Sequence, residues 1–312
     1  MNGVEFPLEI KLRLNMSQPN ISGFTFIKHG LTLGYPIKES IQSIEALCDE
    51  VVINVGYDDP NLEKDDGTWE YLNDNFPKGK FKFIKSHWDP ELTSQGLILS
   101  VQTNIALEKC KGKYLQYIQG DEAIHEDDLK TIESSVKEME QRPEVDGLIY
   151  NYTHFYGNVD AILQTRRIYR REVRLIRNGL GIKSHLDAQG FKHSDGRKIK
   201  AIQTPARIFH YGWARKEQVM KDKIKVMDKF YHGSEFEKKE DFEYKKIWGI
   251  KKFTGTHPEV MKEWISQNRN DLDIHSLNLD FNIKDVSLAV SDCIEKITGY
   301  RIGEYKNFIL IK

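Results

Sequence analysis

Between residues 21 and 155 the apolar positions alternate between two rhythms. A run rich in β-branched and aromatic side chains, ISGFTFIKHG at 21–30, predicts a first strand ended by Gly30. Ile37, Ile41, Ile44 and Leu47 then recur at spacings of 4, 3 and 3, with Pro36 suited to a first helical turn. The short apolar run VVINVG at 51–56 predicts a buried parallel strand, so these three elements form a βαβ unit. YDDPNLEKDDGTW at 57–69 reads as loop, marked by Pro60 and Asp66-Gly67. KFKFIKSH at 80–87 predicts a third strand, and Leu97, Val101, Ile105 and Ala106 place a helix over 93–110. KYLQYIQ at 113–119 predicts a fourth strand that runs into GDEAIHEDD. A helix starts near Glu126, where acids complement its dipole, and buries Leu129, Ile132, Val136 and Met139. DGLIYNYTHF at 146–155 is a further strand. Strands alternating with helices predict an α/β fold: an open, mostly parallel central sheet flanked by helices.

Beyond residue 155 the pattern loosens. Six arginines fall at positions 166–177, interleaved with Ile168, Val173, Leu175 and Ile176. That alternation predicts a strand with one buried face, its arginines solvated or paired with acids. ARIFHYG at 206–212 predicts another strand. The Lys-rich stretch 214–231 carries Val219, Met220, Ile224 and Met227 at helical spacing, hence an amphipathic helix with a solvated basic face. Pro258 suits the first turn of a helix over PEVMKEWISQ, and the terminal NFILIK predicts an edge strand. The expected organisation is an N-terminal extension (1–20), two halves of one domain (21–155 and 156–232) and a C-terminal extension (233–312) packed on it. Met16 offers an internal start.

Composition narrows the function classes. Of 312 residues, 39% are hydrophobic and 30% charged, an ordinary soluble composition. Forty-six basic against 47 acidic residues give 46 − 47 = −1, which argues against nucleic acid or a membrane surface as partner. No stretch approaches the roughly 18 apolar residues that span a bilayer. The first residues lack the apolar core of a signal peptide. Cys48, Cys110 and Cys293 lie far apart, without zinc-type spacing, and Cys48 and Cys110 read as small buried hydrophobes. The expectation is a cytoplasmic protein.

In open α/β sheets, ligands bind outside the carboxyl ends of the strands. Here those ends carry His29, then Tyr57-Asp58-Asp59, then His87-Trp88-Asp89, then Gln119-Gly120-Asp121-Glu122. The last is the sharpest signal, because two carboxylates arrive where a hard divalent cation or a diphosphate would sit. A capping role for Asp121 in the turn is the competing reading. No GxGxxG or P-loop follows the first strand, which argues against a dinucleotide dehydrogenase or an NTPase.

The order of SGF strand, YPIKESIQSI helix, buried second strand, DDGT, TNIAL helix and KGKYLQYIQGDE resembles the family 2 glycosyltransferases with the GT-A fold. The resemblance covers about residues 21–230. It implies a nucleotide-sugar donor whose diphosphate meets a divalent cation, Mn2+ or Mg2+, at a DxD motif ending the fourth strand. Gln119 stands where the first carboxylate of that motif belongs, leaving Asp121, alone or with Glu122, for the metal. The resemblance further implies that Asp58 and Asp89 hold the nucleobase and ribose and that Asn104 faces the nucleotide pocket. Inverting transfer needs a base for the acceptor hydroxyl; Asp187 in SHLDAQGF is the first candidate, His185 the second and His154 a weaker third. In HYGWAR (210–215), His210 is placed to complete a metal shell beside Asp121, and Arg215 to neutralise the diphosphate. The implied activity is sugar transfer, with inversion, to a glycan or other hydroxyl acceptor, as in polysaccharide biosynthesis. Two alternatives stay open. One is a degenerate nucleotide- or glycan-binding protein, suggested by Gln119. The other is a nucleotidyltransferase, although GFTFIKHG lacks the glycine-rich basic loop of that class.

Overall fold

The computed structural model describes residues 20–92, 94–233, 236, 242–304 and 306–312. The expected N-terminal extension and Met16 lie, apart from Asn20, outside the described residues. The first strand, β1 (Ile21–Ile27), leads through α1 (Ile37–Glu45) to β2 (Glu50–Tyr57), which pairs parallel with β1. Ile37, Ile41 and Ile44 of α1 are buried on the sheet, as their spacing predicts. The loop expected over 57–69 gives way at Thr68 to a helix not foreseen, α2 (Thr68–Asn75). Gly67, with φ at 87°, makes the left-handed turn into it. Next come β3 (Phe81–His87), α3 (Leu97–Leu107), β4 (Tyr114–Tyr117) and a short β5 (Glu122–Ile124). After α4 (Leu129–Gln141) the chain forms β6 (Gly147–Tyr156), β7 (Asn158–Leu163) and β8 (Arg171–Arg177). A hairpin of β9 (Ile182–His185) and β10 (Gly190–His193) precedes the long β11 (Ile199–Trp213). The remainder is α5 (Glu217–His232), β12 (Ile250–Lys252), α6 (Lys262–Asn268), α7 (Ile283–Thr298) and β13 (Phe308–Leu310).

The fold class is α/β, as the sequence predicts. Strand order in the main sheet runs β3-β2-β1-β4-β8-β6-β7-β12. The first four are mutually parallel, and β8 lies antiparallel between β4 and β6. β11 pairs parallel with β6 and antiparallel with β5, so it carries the second half of the sheet back against the β4–β5 turn. Two clusters of buried apolar side chains fill the sheet's surroundings, one built on α1 and α4, the other on α3 and the β9–β10 hairpin. Cys48 and Cys110 are buried and unpaired, as expected.

The arginine-rich stretch is a set of ion pairs. Arg170 reaches Glu295 at 2.7 Å and Glu304 at 2.6 Å, Arg171 reaches Glu304 at 3.1 Å, and Arg167 pairs with Asp285. Arg177 donates to the carbonyls of Met139 and Val145 at the end of α4. β13 adds to the first residues of β11 as the predicted edge strand. Among the described residues no helix is long and apolar enough to cross a membrane.

Candidate active site

A cavity of about 790 Å³ opens at the carboxyl ends of β1, β3 and β4, a size that suits a nucleotide-sized ligand. Lys28, Trp88 and the Gln119-Gly120-Asp121 turn form its sheet side. His154, Tyr169, Asp187, His210 and α5, through Lys223, close the other side.

Local sequence explains how the Asp121 end is built. Residues after Gly120 leave the parallel sheet to pair with β11, with Glu122 opposite His210, and Tyr211 donates its N–H to the Asp121 carbonyl at 2.8 Å. The β6–β11 register shifts between His210 and Trp213, a bulge that re-aims side chains there. Gly212 sits in that bulge because nothing larger fits: a Cβ would lie 2.7 Å from both Asp121 Oδ2 and the His210 ring.

Asp121 Oδ2 accepts from Lys223 Nζ at 3.0 Å, with Arg215 Nη2 at 3.6 Å and His210 Nε2 at 3.8 Å. Burial on its own would raise the carboxyl's pKa; the charges of Lys223 and Arg215 outweigh it and hold the group well below the usual carboxylate range. Lys223 also donates to the Gly212 carbonyl at 3.0 Å. Arg215 lies beneath Tyr35, its guanidinium 4.0 Å from the ring centre, and donates to the Leu33 carbonyl at 2.6 Å.

Two histidines form a buried relay beside this group. His154 Nδ1 and His210 Nδ1 are 3.1 Å apart, and His154 Nε2 is 2.8 Å from the Tyr169 carbonyl. Burial lowers both pKa values, so both rings are neutral near pH 7. A carbonyl only accepts, so His154 carries its proton on Nε2 and accepts at Nδ1 from His210. His210 Nε2 is then left as a lone pair at the Asp121 end of the cavity.

The remaining predicted residues divide. Gln119 lines the cavity and donates to the Tyr117 hydroxyl at 3.3 Å and the Ala188 carbonyl at 3.4 Å. Asp187, half-buried on the β9–β10 turn, reaches the cavity beside Tyr231 and accepts the Gln189 N–H at 3.4 Å. His185 is exposed and lines a smaller neighbouring depression. Asp58 pairs with Lys28 and His29, each at 2.8 Å, and so anchors a cavity lysine from outside.

Four expectations need correcting. Asn104 does not face the cavity: its amide bonds both the N–H (2.8 Å) and the carbonyl (3.1 Å) of Ser184, clamping β9 to α3. Asp89 is exposed and caps its own turn through the Glu91 N–H at 2.9 Å; Trp88 is the residue that reaches the cavity. Glu122 is 0% exposed, and its carboxylate is committed to the Arg174 guanidinium (2.9 and 3.2 Å), the Tyr152 hydroxyl (2.7 Å) and the Gln119 N–H (3.0 Å). Arg215, 1% exposed, backs Asp121 and does not form the wall.

Nor does the donor set fit a resident divalent cation. Asp121 and His210 would supply one oxygen and one nitrogen, but the oxygen facing His210 is already held by an ammonium with a guanidinium beside it. Among the described residues no group of three His, Cys, Asp or Glu side chains is arranged to hold a metal ion.

Sequence reading missed Lys223 by assigning the lysines of α5 to a solvated face. The signal was present: Lys223 falls inside the apolar stripe of Met220, Ile224 and Met227, so it points inward with them.

No protein-family model matches the chain, and no curated protein matches it. Among solved structures it is similar to TarS 1–349 from S. aureus, at 12% identity and a TM-score of 0.39, over 67% of this chain and 64% of that one. The same TarS fragment in complex with UDP matches at 14% identity and a TM-score of 0.39, with the same coverage. A third similar structure is the mannosyltransferase PcManGT from Pyrobaculum calidifontis in complex with GDP-Man and Mn2+, at 17% identity and a TM-score of 0.29 over 45% of this chain and 40% of that one. The chain thus spans less than two thirds of the length of each.

Proposed function

We propose that the protein is a glycosyltransferase that moves a sugar from a nucleotide-sugar donor to a hydroxyl acceptor with inversion. The observation that carries this reading is the single cavity at the ends of parallel strands into which both Asp121-Lys223 and Asp187 project. The first pair marks a place for an anionic leaving group, and the second carboxylate reaches the cavity where an acceptor's proton would be released. In the reaction the acceptor oxygen attacks the anomeric carbon as the bond from that carbon to the phosphate oxygen breaks. The hydroxyl proton goes to Asp187, and the departing nucleoside diphosphate keeps the electron pair, its charge met by Lys223. His210 Nε2, an acceptor by its tautomer, is suited to a sugar hydroxyl. Trp88, Phe230 and Tyr231 offer aromatic faces to an acceptor ring, which favours a glycan and a role in polysaccharide synthesis.

Nucleoside diphosphate release from a panel of UDP-, GDP-, CDP- and TDP-sugars tests the proposal. One donor is expected to turn over, with Asp187→Asn lowering kcat by about 100-fold or more while the donor still binds. Binding without release would favour the non-catalytic reading that Gln119 suggests. Consumption of a nucleoside triphosphate with pyrophosphate release would replace both with a nucleotidyltransferase.

A further inference from the structure

We infer that the donor's diphosphate is held without a divalent cation, by the Lys223 ammonium locked between Asp121 and Gly212. The inference rests on the nucleotide-sugar reading above and specifies how that site handles charge.

An ammonium has three N–H donors. Lys223 spends one on Asp121 Oδ2 and one on the Gly212 carbonyl, both at 3.0 Å, while lining the cavity. Among the described residues the third has no hydrogen-bond partner and is available to a ligand oxygen, and the first two fix where it points. Behind this group, Arg215 is 1% exposed, and its Nε and Nη2 have no hydrogen-bond partner among the described residues. The guanidinium is pinned by Leu33 and Tyr35, so it acts as a fixed charge in a place that water does not screen. Summed over Asp121, Lys223 and Arg215, the formal charge is −1 + 1 + 1 = +1, and the two histidines add nothing near pH 7. A divalent cation at Asp121 would be pushed against two positive charges before any phosphate arrived. Asp187 and Asp228 also line the cavity, so the field that favours a diphosphate is local to the Asp121–Lys223–Arg215 group.

Two features of the turn agree. Gln119 puts a neutral amide where a carboxylate would otherwise attract metal. Glu122, the other acid of the turn, is neutralised by Arg174. Both keep uncompensated negative charge out of the turn.

The test is calorimetric titration of UDP and GDP into the full chain, stripped with EDTA, then repeated with excess Mn2+ or Mg2+. The inference predicts one nucleotide bound with Kd equal within about twofold in the two conditions. Lys223→Met should weaken binding by about 100-fold, and Lys223→Arg should restore most of it. Asp121→Asn, which removes no positive charge, should keep the affinity within about tenfold. The melting temperature of each variant checks that it is folded, and Lys223→Gln serves if the methionine variant is not. Binding that requires metal and disappears in Asp121→Asn or His210→Ala would overturn the inference while leaving the glycosyltransferase reading in place. No binding of any nucleotide, with or without metal, would defeat both.

Discussion

Asp121 and Glu122 are joined by one peptide bond, yet they belong to two different regions of the molecule. Glu122 turns into the seam between β4, β6 and β8, where a guanidinium fork, a phenol and a backbone N–H consume its carboxylate. Asp121 turns to the cavity, where hydrogen bonding among the described residues reaches only Oδ2. Asp121 lies in the turn that the Glu122 N–H closes on the Gln119 carbonyl at 3.0 Å, and Glu122 begins β5, so one acid of the pair goes to structure and the other to the site. Two adjacent carboxylates at a strand end therefore do not amount to a metal-binding pair; what counts is which cations each one meets.

The largest effect expected from that contrast is on stability. Arg174→Met leaves Glu122 charged and buried, and chemical denaturation should show a loss of about 3–5 kcal/mol. Replacing both residues with apolar groups of similar size should recover much of it. A neutral single variant would show that the seam does not depend on the pair.

A third acid extends the comparison. Glu172 is fully buried, accepts from Gln189 at 2.6 Å, and has no salt-bridge partner among the described residues. Burial pushes its carboxyl from 4.5 up to about 7, offset in part by Gln189 and Arg174. Between those values the folded chain holds a proton that the unfolded chain has lost. Stability is therefore greatest below about pH 4.5 on this group's account and falls as pH rises through 7. Denaturation across that range should lose up to about 3 kcal/mol in the wild type relative to Glu172→Gln. Parallel curves for the two proteins would contradict the assignment.

The smallest effect is a near-null one. Asp89 only closes a turn, so Asp89→Ala should shift stability by less than about 0.5 kcal/mol and leave nucleotide affinity within twofold. A strong loss of binding would return Asp89 to the site and weaken the division drawn here.

How much of this was legible in the sequence follows the same division. The βαβ start and the strand into Gly120 were readable because α1 repeats its isoleucines on one face and β2 is apolar throughout. The same holds for the arginine stretch, whose interleaved Val173 and Leu175 announce a strand. Short antiparallel pieces such as β7, β9 and β10 were not, since they run only four to six residues and no local period marks them. In α2, only Thr68 and Leu72 are buried, too weak a stripe to override the turn residues before it. At the site, Asp121 was found from its place at a strand end, whereas Gln119, His210 and Asp187 were singled out through the resemblance of their segments to family motifs. Sequence alone gives no sign that Asn104 faces the β9 backbone, or that Arg174 claims Glu122, because both contacts cross more than fifty residues of chain.

Amide hydrogen exchange of the protein alone and with saturating UDP or GDP tests the central claim most directly, because it locates the bound nucleotide without presuming turnover. The account predicts new protection at the β4–β5 turn around Gln119–Glu122 and at 210–224, which carries Gly212 and Lys223. Protection confined to residues 246–251 and 292–301, which line a second cavity and not the first, would contradict it, as would no change in any segment.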